Sequence, residues 1–365
     1  MREGHVGSGS SEGAVKFFVG GYAQPGEVGV SAYAMDPATG RCTIEATCDS
    51  LRNPSYLLRH PRKAVLYAVE EVEPVGGLVA LAVEGDRLRR LTVLPSGGAG
   101  PCHLAISPDG RFLLVSHYVG GCLTVFALDD DGVPVGVSDA VRHTMSEQDR
   151  DGANTARQES AHIHFALCDG ERVFVSDLGL NQVFVYGWDA GRGRLIERGE
   201  WIAFPKGAGP RHLAVSGDGR RLYALCELNA QVHVFERNED GGWRRVQAVS
   251  TVPEDFTQFA DYLYSIGAAI RLADDRTLYT STRGHNSIAV FRVGEAGTLH
   301  DRSIFSTEGK TPRDFAVIGR YVIVANQDSG ELAVFRQGDG AGGYGLVHRV
   351  PDVGQPCCVC VAPEM

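Results

Sequence analysis

Short apolar runs rich in Val, Leu, Phe and Tyr recur along the whole chain, separated by Asp-Gly turns and polar links. Runs of about four to eight residues bounded by turn residues predict strands, because a helix needs a longer segment with 3.6-residue periodicity. The pattern also repeats. GPCHLAISPDGRFLLVSHYVGGCLTVFAL, from Gly100, aligns without a gap on GPRHLAVSGDGRRLYALCELNAQVHVFER, from Gly209. Each reads as a strand, a DG turn, a second strand, a polar link and a third strand. The unit returns from Asn53, Ser160, Ala268 and Thr311. One further copy is split: KFFVGGYAQPGEVGVSAYAM near the start carries its later strands, and QPCCVCVAP near the end supplies the strand that should precede them.

The residue that ends the second strand of each unit falls at Tyr22, Glu71, Tyr118, Asp177, Glu227, Arg283 and Gln327, at spacings of 44 to 59 residues. A four-stranded propeller blade takes about 40 to 50 residues. The expected fold is therefore all-β: a seven-bladed β-propeller with its ring closed by pairing of the N- and C-terminal strands, and with little helix. Residues 1–14 read as a disordered N-terminal tail and 15–365 as a single propeller domain. Two polar stretches, 142–160 and 253–267, interrupt the period. Connections of that length in a compact fold are lids or mouth-lining segments, or else solvated crossovers between blades.

Charge narrows the partners. Thirty-five basic against 45 acidic residues leave a net charge of −10, which disfavours nucleic acid, since a phosphate backbone demands a basic face. No apolar run approaches the roughly 18 residues that span a bilayer, and the start shows no apolar segment of the signal-peptide kind, so no membrane partner is expected. The nine cysteines are odd in number, irregularly spaced and set in strand-like runs; they read as reduced thiols packed as small hydrophobes, and point to a cytoplasmic protein. Cys357, Cys358 and Cys360 lack zinc spacing, and neighbours on a strand point to opposite faces, so they read as core. A closed ring needs no partner for stability, and a monomer is expected.

Ligand sites of propellers form at the mouth of the central channel from equivalent positions of several blades. Two such positions are polar and differ from unit to unit, which packing alone does not require. One is the strand-ending position, with Glu71, Asp177, Glu227, Arg283 and Gln327; the other opens the unit, where Ser55, Cys102, His162, Arg211 and Arg313 align. Gathering Arg211, Arg283 and Arg313 at one mouth of an acidic protein makes a focused positive site for a small phosphate or carboxylate. Glu227 and Asp177 among them are either bases or structural partners of an arginine–carboxylate network. His162 and His164, two apart on a strand, should share a face; one of them acting as acid or base is more economical than a metal beside arginines. His103 and His212 read as buried at blade junctions. GxSxG, P-loop and dinucleotide fingerprints are missing from the sequence, and no cofactor is expected.

The phrases GPRHLAVSGDGRRLYALCEL, STRGHNSIAVF, DLGLNQVFVY and VANQDSGELAVF, in this order and frame, resemble the lactonase family of seven-bladed propellers, over nearly everything from Lys16 to Pro363. That family includes propeller-type 6-phosphogluconolactonases and a 3-carboxy-cis,cis-muconate lactonising enzyme. The resemblance implies a functional set of one histidine, two arginines and one glutamate: Arg211 of GPRH, Glu227 of the EL pair sixteen residues on, Arg283 of RGH, and His162 or His164. Arg313, Asp177, Glu71, Gln327, His212 and His285 are expected to contact the substrate. Ala161 stands where the family usually has proline and Thr282 where it has asparagine. The expected activity is a metal-independent lactonase acting on a small anionic sugar lactone, 6-phosphoglucono-1,5-lactone foremost. Glu227 or a histidine would be the base, Arg211 and Arg283 would meet oxyanion or phosphate, and Arg313 would be an outer anchor. The alternatives are a carboxymuconate cycloisomerase and a non-catalytic propeller that binds a protein partner.

Overall fold

The computed structural model describes residues 13–146, 154–338 and 343–362. Residues 1–12 of the expected tail and 147–153 of the first long connection lie outside them. The described residues form seven four-stranded antiparallel sheets, each contributed by one repeat. The first is built in the order Gln355–Val361, Val15–Tyr22, Val30–Met35, Cys42–Cys48. The split repeat is thus one blade of a seven-bladed propeller closed by the two ends of the chain. Helix among the described residues is limited to the 3-10 turns Ala260–Tyr262 and Gln327–Ser329.

Residue type grades outward along every blade. Middle strands such as Phe112–His117 and Tyr321–Asn326 are buried along their whole length, because a neighbouring blade covers each face and alternation gives way to continuous apolar runs. Outermost strands such as Arg87–Pro95 and Arg194–Ala203 are charged and largely exposed. The core consists of apolar layers between adjacent blades. Phe17, Tyr33 and Met35 of the first blade meet Ile323, Leu332 and Val334 of the seventh, and Phe18 and Cys358 meet Leu57, Leu66 and Val79 of the second. All nine cysteines are free, seven buried and two half-buried.

Six of the seven innermost strands share a feature that positions the site: a β-bulge at their first turn. The pairing register slips between Pro101 and His103, Ile163 and Phe165, Pro210 and His212, Gly267 and Ile270, and Pro312 and Asp314, and opposite Pro356–Cys358 in the first blade. A bulge re-aims the extra residue out of the pleat. The residues so displaced include Cys102, His164, Arg211, Arg313 and Cys357.

This register corrects the expected alignment of the fourth blade. Glu227 N–H donates to Gly209 O (2.8 Å), Tyr118 N–H to Gly100 O (2.9 Å) and Gln327 N–H to Thr311 O (3.0 Å); in the fourth blade the same bond runs from Leu178 N–H to His162 O (2.9 Å). The ring positions there are His164 and Leu178, in place of His162 and Asp177. The link between bulge and ring position runs from 164 to 178 here, as short as that of the seventh blade (313 to 327), and the histidine two residues before the bulged one draws the alignment off by two.

Closure of the ring is reinforced by Asp314, which accepts from Val359 N–H (3.0 Å) and pairs with Arg271 (2.6 Å), tying the seventh blade to the first and sixth. Without the strand Gln355–Val361, Val15–Tyr22 becomes an unpaired inner edge. Deleting residues 355–365 should lower the melting temperature by about 10 °C or more, on the scale of a few degrees per kcal/mol for a domain this large. Circular dichroism melting measures it, and an unchanged midpoint would show that the ring does not depend on this strand.

Candidate active site

Three blades and two connections converge on one carboxylate. Glu227, just past the strand Arg221–Cys226, has a side chain only 2% exposed. Arg211, on the bulge of its own blade, brings Nε to 2.9 Å from Oε2. Arg283, the equivalent ring residue of the sixth blade, brings Nη2 to 3.1 Å from the same oxygen. His164, on the fourth-blade bulge, has Nε2 at 3.8 Å from Oε2. The other oxygen, Oε1, accepts from Arg157 Nη2 at 2.5 Å and from Ser265 Oγ at 3.0 Å. Arg211, Glu227, Arg283 and His164 are therefore brought together.

The arginines are held from behind. Arg211 Nη1 donates to His212 Nε2 (2.8 Å) and to the carbonyl of Ala268; Arg283 Nη2 donates to Gly267 O (3.1 Å). Arg283 Nε is buried and has no hydrogen-bond acceptor among the described residues. His212 does not face the cluster as a substrate contact; it supports Arg211 and packs against His164, His103 and Phe165.

Burial and charge set the protonation states. Burial pushes the Glu227 carboxyl up, but Arg283, Arg157 and Arg211 together hold it well below the usual carboxylate range. Burial drives Arg283 down to about 10 against the pull of Glu227. Burial, reinforced by Arg211, holds the His164 and His212 imidazoles well below their ordinary value, so both are neutral near pH 7. A neutral His212 is what allows Nε2 to accept from Arg211.

Other expected residues lie elsewhere. His162 stacks face to face on Tyr118 (4.2 Å between centroids), donates from Nδ1 to Tyr118 O (2.9 Å) and has Nε2 at 3.0 Å from Glu159. His164 meets the edge of the same tyrosine ring at 5.5 Å. The bulge between Ile163 and Phe165 breaks the alternation that would have put the two histidines on one face. Asp177 is fully buried; it accepts from His162 N–H (2.9 Å) and Leu180 N–H (3.0 Å) and pairs with His143 (2.7 Å). Both its oxygens are engaged in these contacts, which fasten the backbone of the fourth blade. His285 bonds Ser287 (2.7 Å) and packs on Phe256.

Arg313, Glu71 and Gln327 form a second cluster on the ring. Tyr22 donates to Glu71 Oε1 (3.0 Å), Ser55 to Glu71 Oε2, and Arg313 to Tyr22 Oη (2.8 Å) and to Gln327 Oε1 (3.3 Å). The sequence reading missed Arg157 and Ser265, and took Tyr118 and Tyr22 only as ring markers. Its one signal for Arg157 and Ser265 was that both stand on the stretches that break the repeat.

A propeller with this arrangement belongs to a recognisable class. The chain matches, over residues 16–361, the family described as Lactonase, 7-bladed beta-propeller, and it belongs to that family. It is 31% identical over 352 residues to a 6-phosphogluconolactonase of Bacillus subtilis (strain 168), covering 94% of this chain and 97% of that one. It is 28% identical over 337 residues to a 6-phosphogluconolactonase of Formosa agariphila, covering 88% and 92%. The solved structure of a periplasmic gluconolactonase from Pseudomonas aeruginosa is similar with a TM-score of 0.84 at 29% identity, covering 96% and 99%.

The neutral imidazoles make stability depend on pH. Unfolded, histidines take up a proton near pH 6.5; folded, His103, His164 and His212 resist it to well below that, and burial holds His117 and His233 down to about 4. Between those limits the unfolded chain binds more protons, so stability is greatest above about pH 6.5 and is lost as pH falls below it. Glu227 adds a loss of the same sign below the ordinary carboxylate value of about 4.3. Calorimetric melting from pH 8 down to 5 should show a midpoint that declines progressively below pH 6.5. A flat profile would contradict neutral buried imidazoles.

Proposed function

We propose that the protein hydrolyses a sugar lactone to its acid at Glu227, Arg211 and Arg283, with 6-phosphoglucono-1,5-lactone as the substrate. The observation that carries this reading is the convergence of two buried guanidinium groups on one buried carboxylate, 2.9 and 3.1 Å away. The relatives named as 6-phosphogluconolactonases support the substrate class.

Ester hydrolysis develops negative charge on the carbonyl oxygen, and fixed donors in a water-poor site stabilise it without reorganising. Arg211 and Arg283 suit that role, since both are pinned by backbone or histidine acceptors and Arg283 keeps an unused donor in Nε. Glu227 lies between them as acceptor for the proton of the attacking water, with the neutral His164 beside it at 3.8 Å. A carboxylate with so depressed a pKa is a weak base, so in this reading the arginines supply the larger part of the acceleration. Arg313, held by Tyr22 and Gln327, is an outer anchor for the substrate's hydroxyl groups.

Purified protein should accelerate acid release from 6-phosphogluconolactone above its spontaneous hydrolysis. Glu227→Gln keeps the shape but removes charge and basicity, and should reduce kcat by about 10²-fold, in protein whose fold is confirmed by circular dichroism. Arg283→Ala should lower kcat if this arginine meets the oxyanion, and raise KM alone if it grips the ground state equally. Wild-type protein that opens no lactone but cyclises carboxymuconate would replace this reading with the cycloisomerase.

A further inference from the structure

Glu227 is roofed. Arg157 lies on the first long connection and Ser265 on the second, and both bond the same oxygen of Glu227. Arg157 spans the two connections: Nη2 also reaches Tyr118 Oη (3.2 Å), and Nη1 donates to Leu263 O (3.1 Å). The exposure of the charged side chains is graded, with Glu227 at 2%, Arg211 at 4%, Arg283 at 7% and Arg157 at 17%. Arg157 is thus the most exposed of the four charged groups, and it occupies Oε1 of Glu227 from the solvent side.

The turn that carries Arg157 is anchored independently of it. Gln158 is buried; its Nε2 donates to Leu178 O (2.7 Å) and its Oε1 accepts from Asn154 N–H (3.0 Å). The arginine side chain can swing off Glu227 while the backbone beside it stays seated on the fourth blade. What would draw it away is another anion, since the contact to be replaced is a charge-assisted hydrogen bond to a carboxylate.

We propose that Arg157 is the specificity element of the site: it covers Glu227 when no substrate is bound, and exchanges that carboxylate for the anionic group of the incoming substrate. The proposal rests on the lactonase reading above. It accounts for discrimination between phosphorylated and neutral lactones, because a neutral sugar has no group to exchange for Glu227 and must break the Arg157 contacts uncompensated. It also couples binding to reactivity. Glu227 is faced by Arg211 of the fifth blade, Arg283 of the sixth, His164 of the fourth and Arg157 of the connection, with Tyr118 of the third blade beyond. Taking away one of three guanidinium groups leaves a more basic carboxylate when substrate has arrived.

The test uses the full chain with Arg157→Ala and Arg157→Lys, both checked for a native circular dichroism spectrum. Calorimetric titration with glucose 6-phosphate and with uncharged glucose reads binding without turnover. Arg157→Ala should weaken glucose 6-phosphate by about ten-fold or more, the loss of one charge-assisted contact, and leave glucose unchanged or bound more tightly. Arg157→Lys should recover part of the phosphate preference. In the lactonase assay the acid limb of kcat/KM, set by Glu227 in the free enzyme, should move to higher pH in Arg157→Ala. Equal weakening of both ligands, or unchanged or tighter glucose 6-phosphate binding, would overturn the proposal and leave Arg157 a structural roof. If selectivity for glucose 6-phosphate over glucose depends on Arg157 while wild-type protein opens no lactone, the exchange stands and the lactonase reading falls.

Discussion

Closing the ring is the constraint from which the rest of this architecture follows. Seven sheets around an axis leave an unpaired inner edge unless the first blade receives its innermost strand, and Gln355–Val361 supplies it from the other end of the chain. Closure fixes the angle between blades, and that angle decides which bulged residues can meet across the channel. Arg211 and Glu227 belong to the fifth blade, Arg283 to the sixth and His164 to the fourth, so no single blade contains the site. Asp314, bonded to the closing strand and to Arg271, links this scaffold interaction directly to three blades.

Within the closed ring, buried charge has to be balanced locally. Desolvating a carboxylate costs several kcal/mol, which pairing offsets only when geometry and hydrogen bonding are good. Glu227 meets that condition with three guanidinium groups and one hydroxyl. The neutral His212 and His164 avoid adding further positive charge next to Arg211. Glu71 and Arg313 balance each other across Tyr22 in the second cluster. The result is a ring with two poles, one dominated by arginine and sealed, the other mixed and rich in hydroxyl groups. That polarity suits a ligand whose reacting carbonyl and distal polar groups differ in charge.

Much of this was legible in the chain alone. Asp-Gly turns between apolar runs, repeated around seven units with one unit split, are enough for the all-β fold, the number of blades and the closing strand, because each blade obeys the same local rules of strand, turn and burial. The ring positions followed at Cys102 and Tyr118, Arg211 and Glu227, and Arg313 and Gln327. In the fourth blade, where two histidines stand two residues apart, His162 and Asp177 were placed where His164 and Leu178 belong. Register depends on hydrogen-bond partners, and polar residues two apart do not reveal which one the bulge displaces.

Arg157 and Ser265 were beyond reach for a different reason. They stand on connections that break the repeat, so no equivalent position in another blade indicates where they point. Their contacts with Glu227 span 70 and 38 residues of sequence. Periodicity within a repeated unit suffices to tell which residues could build a positive mouth, since equivalent positions must come together once the blades are arranged in a ring. The enclosure of Glu227 by two connections, and the use of Asp177 to fasten backbone, could be read only from the folded chain, because both depend on how separate segments lie over one another after the ring has closed.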